Sequence, residues 1–110
     1  MLDKVKMNVI QTAGNGIVNH ETIFDFRQHG KLVKAEYAGG KIEKGYLLGK
    51  LEGEVLNFTY CQIRKTGELD HGASQCNLVF ESSGKIRLVE HFAMRTNDVV
   101  EEGVNVFRQL

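Results

Sequence analysis

Polar side chains in the second half of the chain alternate with apolar ones at a spacing that could build a binding pocket. The candidate residues are Tyr60, Gln62, His71, Gln75, Asn77 and Glu90. Every second residue of a strand points to the same face, so these residues would share a face with Phe58 and Phe92. A polar group among apolar neighbours must hydrogen-bond to protein, water or a ligand. We therefore take the six residues as a candidate ligand-binding set.

Glu90 and His71 are the ionisable members of this set, whereas Tyr60 and Gln62 would orient a ligand through hydrogen bonds. Glu90 stands between Leu88 and Phe92, and a carboxylate in such surroundings needs a partner or takes a raised pKa. Two other interpretations stay open. The six residues could form a structural network without a ligand, or His71 and Glu90 could be the acid and base of a hydrolase.

The chain has two cysteines, Cys61 and Cys76, which are too few for a disulfide scaffold or a zinc site. The predicted registers place both on the face opposite the polar set, about 13 Å apart at the rise of a strand. That separation is too large for a disulfide. His91 would then face Cys76, but two ligands without a third do not make a metal site. We predict no metal and no cofactor.

Composition narrows the class of protein. A chain of 110 residues suits one domain, and we expect residues 1–110 to form a single all-β domain. The 14 basic residues balance the 14 acidic ones, so nothing draws the chain to nucleic acid or to an anionic membrane. Because no segment has the pattern of a signal peptide or a membrane span, we expect a cytoplasmic protein.

Alternation with a period of two runs along nearly the whole chain, and turn-forming residues interrupt it at regular spacing, which is typical of an antiparallel meander. The turns are Asn15-Gly16, His29-Gly30, Gly39-Gly40, Glu52-Gly53, Thr66-Gly67, Ser83-Gly84 and Asn97-Asp98. The eight strands that they imply span residues 5–13, 18–28, 32–38, 41–51, 55–65, 69–81, 85–96 and 100–109. Their length favours a closed or nearly closed barrel over a flat sheet with long exposed edges.

Two-residue turns would fix the registers and so the interior face. The earlier strands would contribute Phe24, Phe26, Val33, Ala35, Tyr37, Ile42, Tyr46 and Leu48. The later strands would contribute Leu56, Phe58, Tyr60, Val79, Ile86, Leu88, Phe92 and Met94. With these registers the two apolar faces would lie on opposite sides of the sheet. A register shift of one residue between them would join the faces, because such a shift turns every following side chain to the other side. We therefore predict a glycine bulge near Glu52-Gly53.

Several segments resemble a family of short bacterial proteins that are commonly named N-acetylglutamate synthase. They are ETIFDFRQHG (21–30), AEYAGGKIEKGYLLG (35–49), LNFTYCQI (56–63), GELDHG (67–72) and GKIRLVEHF (84–92). The name implies acetyl transfer from acetyl-CoA to glutamate. The chain offers neither the glycine loop nor the helix through which common acetyltransferases hold the pyrophosphate, so we expect the name to be a misassignment. The meander is also similar to calycin-like barrels such as lipocalins, fatty-acid-binding proteins and avidin.

The sequence thus predicts a small noncatalytic barrel that binds a small, partly polar molecule in its interior. The first alternative is a structural or protein-interaction domain without a ligand, for instance a homodimer formed through an exposed strand or through residues 100–107. The second alternative is the acetyltransferase that the family name implies, which the residues disfavour.

Overall fold

A computed structural model describes residues 1–13 and 17–110, and in these residues it shows eight antiparallel strands and no α-helix. The strands are β1 (Val5–Thr12), β2 (Ile23–His29), β3 (Leu32–Gly39), β4 (Ile42–Glu52), β5 (Val55–Arg64), β6 (Leu69–Phe80), β7 (Ile86–Thr96) and β8 (Val99–Gln109). Each strand pairs with the next, and β8 pairs with β1, so the sheet closes into a barrel. The predicted all-β barrel of eight strands is confirmed. The predicted turn at Asn15-Gly16 lies outside the described residues.

Alternating side chains fill the barrel, as the period-two pattern predicts. On β2, β3 and the start of β4 the predicted inward residues are at most 3% exposed: Phe24, Phe26, Val33, Ala35, Tyr37 and Ile42. The later strands bury Leu56, Phe58, Ile86, Leu88, Phe92 and Met94. Each large apolar side chain removed from water contributes about 1.5–3 kcal/mol. In the described part of the chain no helix is long and apolar enough to cross a membrane.

The shift that joins the two halves of the interior lies at the start of β4. Ile42 is buried opposite Gly39, but the strand pairing shifts between Ile42 and Lys44. Inward positions beyond the shift therefore have odd numbers and include Leu47. Tyr46 and Leu48 are 51% and 56% exposed, so their predicted inward orientation is wrong.

The predicted location of the glycine bulge is also wrong. Glu52 pairs directly with Val55, and the pairing of β4 with β5 is regular from Lys44 to that turn. Gly53 has a φ of 61°, which is the left-handed conformation that a tight hairpin turn requires. It serves the turn and does not shift the register.

The two hairpins that flank β6 have three-residue loops where two-residue turns were predicted. The backbone N–H groups of Arg64 and Glu81 bond to the carbonyls of Glu68 and Lys85, which leaves residues 65–67 and 82–84 as loops. Each loop ends on a glycine with positive φ, as three-residue hairpin loops commonly do. The extra residue in the first loop turns inward the side chains of β6 that were predicted to point outward. The extra residue in the second loop returns the side chains of β7 to their predicted orientation. Val79, predicted inside, is therefore 46% exposed.

The second strand begins at Ile23, not at residue 18. Before it, the Thr22 hydroxyl accepts a bond from the Asn19 N–H and donates to the carbonyl of Gly39, which forms a compact turn. The N–H groups of Asn19 and Thr22 both bond within this turn, so this segment does not pair as a strand. Val18 is buried, and together with Ile17 it lines the barrel interior.

Four interior aromatic residues lie directly opposite glycines of the neighbouring strand. The cross-strand pairs are Tyr37 with Gly45, Phe58 with Gly49, Tyr60 with Gly72, and Phe92 with Gly103. A Cβ on Gly45 would overlap ring carbons of Tyr37, one on Gly103 would overlap the Phe92 ring, and one on Gly72 would meet the end of the Tyr60 ring. These three glycines therefore leave space that the opposing ring fills, whereas Gly49 makes room for the backbone and the Cβ of the opposite strand.

We expect Gly45→Ala to lower the free energy of unfolding by about 1–3 kcal/mol, the usual cost of overpacking a core. Urea denaturation of the variant measures this loss. In a Tyr37→Leu background the same substitution should cost clearly less, because the branched side chain lacks the ring that blocks the methyl group. An equal cost in both backgrounds would show that the ring is not the obstacle.

Candidate functional site

The barrel encloses a cavity with a water-accessible volume of about 30 Å³, enough for about two water molecules. Its polar lining residues are Tyr37, Tyr60, Gln62, Glu90 and Asn105. The remaining lining residues are apolar: Ile17, Val18, Phe24, Leu47, Phe58, Phe92, Met94 and Phe107. An apolar cavity with a few convergent polar groups is the usual form of a small-molecule site.

Three of the six candidate residues, Tyr60, Gln62 and Glu90, line this cavity. The other three lie on β6 and point outward, so their predicted inward orientation is wrong. They are His71, Gln75 and Asn77, all exposed. The cause is the three-residue loop before β6, which turns the opposite set of its side chains inward.

The same inversion separates His71 from Glu90. Their side chains lie on opposite faces of the sheet, so they cannot act together as acid and base. It also moves Cys76 inside, where it is 1% exposed opposite Glu90, and places Gln75 opposite His91. The predicted outward orientation of Cys76 and its pairing with His91 are wrong. Both cysteines are free.

Asp70 points inward from β6, and its side chain has no exposed surface. Arg64 donates from Nε and Nη2 to its two oxygens, each at 2.9 Å. The Gln62 amide nitrogen donates at 2.9 Å, and the Thr96 hydroxyl also donates. Burial raises the pKa of Asp70, but the bonds from Arg64, Gln62 and Thr96 outweigh it and hold the pKa below its usual value. Asp70 is thus an ionised and fully bonded carboxylate.

This carboxylate fixes the direction of a hydrogen-bond chain that reaches the cavity. An ionised carboxylate only accepts hydrogen bonds, so Gln62 must turn its amide nitrogen to Asp70. The Gln62 oxygen then faces Tyr37, whose hydroxyl donates to it at 2.8 Å. Burial, more than the nearby Tyr60 and Glu90, raises the pKa of Tyr37. The Tyr37 hydroxyl is therefore protonated, with its one proton committed to Gln62.

Glu90 has far fewer partners. It is 4% exposed, and its Oε1 accepts one bond, at 3.0 Å, from the amide nitrogen of Asn105. The Asn105 oxygen in turn accepts from the Thr12 hydroxyl at 2.6 Å. Burial raises the pKa of Glu90, and the bond from the side chain of Asn105 only partly opposes this. Among the described residues, the Ser74 hydroxyl is the one buried side-chain polar atom without a hydrogen-bond partner.

Sequence reasoning missed Asp70, Ser74 and Asn105. The two β6 residues are the inward ones only if the preceding loop has three residues, and the glycine of that loop fits either length. Asn105 alternates with Gly103 and Phe107 on β8. The alternation of this strand would have shown its inward position, because Phe107 marks the buried face.

The closed eight-stranded barrel with a lined interior is a calycin-like architecture. The family model "Avidin-like protein" matches residues 1–110, and the chain belongs to this family. Two solved structures share the fold. Apo shwanavidin has 9% identity and a TM-score of 0.65, with 100% of this chain and 97% of that chain covered. A biotin binding protein from chicken has 12% identity and a TM-score of 0.66, with 99% and 95% covered. No curated protein matches the sequence.

We expect Asp70→Asn to lower the free energy of unfolding at pH 7 by about 3 kcal/mol, because it deprives a partly buried guanidinium of its buried, bidentate charge partner. Glu68→Gln is the matched control, since the exposed Glu68 also pairs with Arg64, at 3.3 Å, and should cost less than about 1 kcal/mol. The lowered pKa of Asp70 stabilises the protein at neutral pH, and that stability is lost as the pH falls through it. Urea denaturation at several pH values should show the two proteins converging in acid; equal losses for both variants would contradict this assignment.

Glu90 should have the opposite pH dependence. Its pKa is raised in the folded protein, so the folded state binds more protons than the unfolded state between the ordinary and the raised pKa. The wild type should therefore lose stability as the pH rises through that window, whereas Glu90→Gln should not. Denaturation between about pH 4 and pH 8 measures the difference. Identical profiles for both proteins would mean that Glu90 is not buried as described.

Proposed function

We propose that this protein is a noncatalytic binding barrel that takes a small, partly polar molecule into the cavity lined by Tyr60, Gln62 and Glu90. The observation that carries the proposal is the buried Glu90 carboxyl with its few partners. It accepts a side-chain bond from Asn105, and it lines the cavity. A ligand that donates to Glu90 would satisfy remaining lone pairs of a buried group, whose loss of water otherwise costs about 1–3 kcal/mol.

Architecture supports a ligand inside the barrel. Barrels of eight strands are just wide enough to be filled by side chains or to hold one small molecule. One structural neighbour is described as a biotin binding protein. At 12% identity that likeness concerns the fold alone, so the ligand of this chain must be argued from its own cavity.

Size restricts how the ligand enters. A cavity of about 30 Å³ accommodates only a small head group. A larger molecule must extend out of the barrel or displace lining side chains, of which Ile17 and Val18 belong to the segment before β2 rather than to a strand. Movement of those two side chains would enlarge the cavity without breaking any strand pairing.

The chemistry of the interior favours binding over catalysis. Burial and then Glu90 raise the pKa of the Cys76 thiol, and a protonated thiol is a poor nucleophile. Burial raises the pKa of the Tyr60 hydroxyl in the same way. The alternative function, a protein-interaction domain, rests on the outer face of β4, where Tyr46 and Leu48 are exposed two residues apart.

A thermal-shift screen of the purified protein tests the binding function. The panel comprises biotin, acetyl-CoA, N-acyl amino acids, fatty acids, short carboxylates, nucleosides and small amines. A ligand at a hundredfold its Kd adds about 2.7 kcal/mol, which should raise the Tm by several degrees in a domain of this size. Glu90→Gln should abolish the shift, whereas Glu43→Gln on the exposed surface should keep it. A flat screen together with dimers in sedimentation would favour the interaction domain.

A further inference from the structure

The charge around the cavity has one sign. Among the described residues of the lining, Glu90 is the one acidic side chain, and none is Lys, Arg or His. The nearest basic group of the interior network, Arg64, is already paired with Asp70 and Glu68. An anionic ligand would therefore be buried beside a carboxyl group without a counter-charge, which is costly. A cationic ligand would find its partner in Glu90.

The hydrogen bonds made by the lining residues also favour a cationic ligand. The Tyr37 hydroxyl donates its only hydrogen bond to Gln62. The Gln62 amide nitrogen donates its two hydrogen bonds to Asp70 and to the sulfur of Met94. The amide nitrogen of Asn105 donates to Glu90. Tyr37 and Gln62 therefore keep lone pairs but offer no free proton, whereas the Asn105 amide keeps one N–H. Where the cavity is lined by Tyr37 and Gln62, the site only accepts hydrogen bonds, so a matching ligand must donate them there.

Aromatic rings complete the lining. Six of its residues are aromatic: Phe24, Tyr37, Phe58, Tyr60, Phe92 and Phe107. Phe24 stacks on Tyr37 at a centroid distance of 4.2 Å and meets the edge of Phe107 at 4.8 Å. A cation in the cavity would lie among these aromatic side chains, and aromatic rings attract cations, the more so where water is excluded. This second observation is independent of Glu90 and favours the same charge.

We infer that the ligand carries a compact organic cation with N–H groups, such as a primary ammonium or a guanidinium, which enters the cavity and pairs with Glu90. The inference rests on the proposed binding function and names the chemical class of the ligand. The small volume of the cavity suits a head group of a few atoms.

Binding of such a cation is coupled to the proton of Glu90. Burial raises the pKa of Glu90 in the free protein, and a cation beside it would lower that pKa again. Affinity should therefore increase with pH as Glu90 ionises, and binding below that pKa should release a proton. A neutral ligand held only by shape would show no such dependence.

NMR titration with matched probes tests the inference. Methylguanidinium and propylammonium are compared with the neutral methylurea and propanol and with the anion propionate, at constant ionic strength. The methyl signal of Met94, which lines the cavity, reports occupancy, and the carboxyl ¹³C signal of Glu90 reports its pKa. We expect saturable binding of the cations, at least about tenfold tighter than that of their neutral and anionic analogues, with a lowered pKa of Glu90 in the complex.

Variants separate this inference from the binding function. Glu90→Gln should weaken cation binding at least about tenfold and remove its pH dependence, while Glu43→Gln should change neither. Neutral or anionic probes that bind as tightly as the cations, or an unchanged affinity in Glu90→Gln, would overturn the inference but leave the binding function standing. If neither these probes nor any compound of the thermal-shift panel binds, the binding function fails, and the inference fails with it.

Discussion

An aromatic ring can point into a barrel of eight strands only where the neighbouring strand leaves room for it. Here three glycines provide that room, each directly opposite the ring that it accommodates. The pairs lie on β3 with β4, β5 with β6, and β7 with β8. Each ring fills a space that its neighbour leaves, as close packing of a core requires, and a small cavity remains in the interior.

The polar groups of the interior divide into two systems with different roles. Asp70 is bonded by Arg64, Gln62 and Thr96, so it has no capacity left and acts as a fixed structural element. Glu90 accepts one bond from Asn105 and lines the cavity. A fully bonded carboxylate stabilises the fold and sets the orientation of Gln62 and Tyr37. The partly bonded one lies on the same cavity as Gln62 and Tyr37, and the proposed function depends on it.

The sequence predicts the number of strands, the closed barrel and the inward orientation of Tyr60, Gln62 and Glu90, because alternation and glycine turns are local signals. It cannot predict the orientation of β6. Thr66-Gly67 fits a two-residue turn or the end of a three-residue loop equally well, since a glycine satisfies the positive φ of both. The longer loop is accompanied by a bond from the N–H of Lys65 to the carbonyl of Lys41 in another hairpin, and such a nonlocal contact leaves no local pattern. The register shift between Ile42 and Lys44 contains no glycine, so it too leaves no local signal in the sequence.

The loops at residues 65–67 and 82–84 compensate each other, and this has a consequence for how such a chain can diverge. Loss of one residue from the first loop would place Asp70, Ser74 and Cys76 in solvent and His71, Gln75 and Asn77 in the core. Loss of one residue from the second loop alone would leave β6 in place and turn Glu90 and Phe92 of β7 outward. Loss of one residue from both would invert β6 and leave the orientation of β5 and β7 intact. Insertions and deletions in this part of the family should therefore accumulate as pairs on either side of β6, and a lineage that carries one of them alone must have rebuilt every second residue of the strands that follow it.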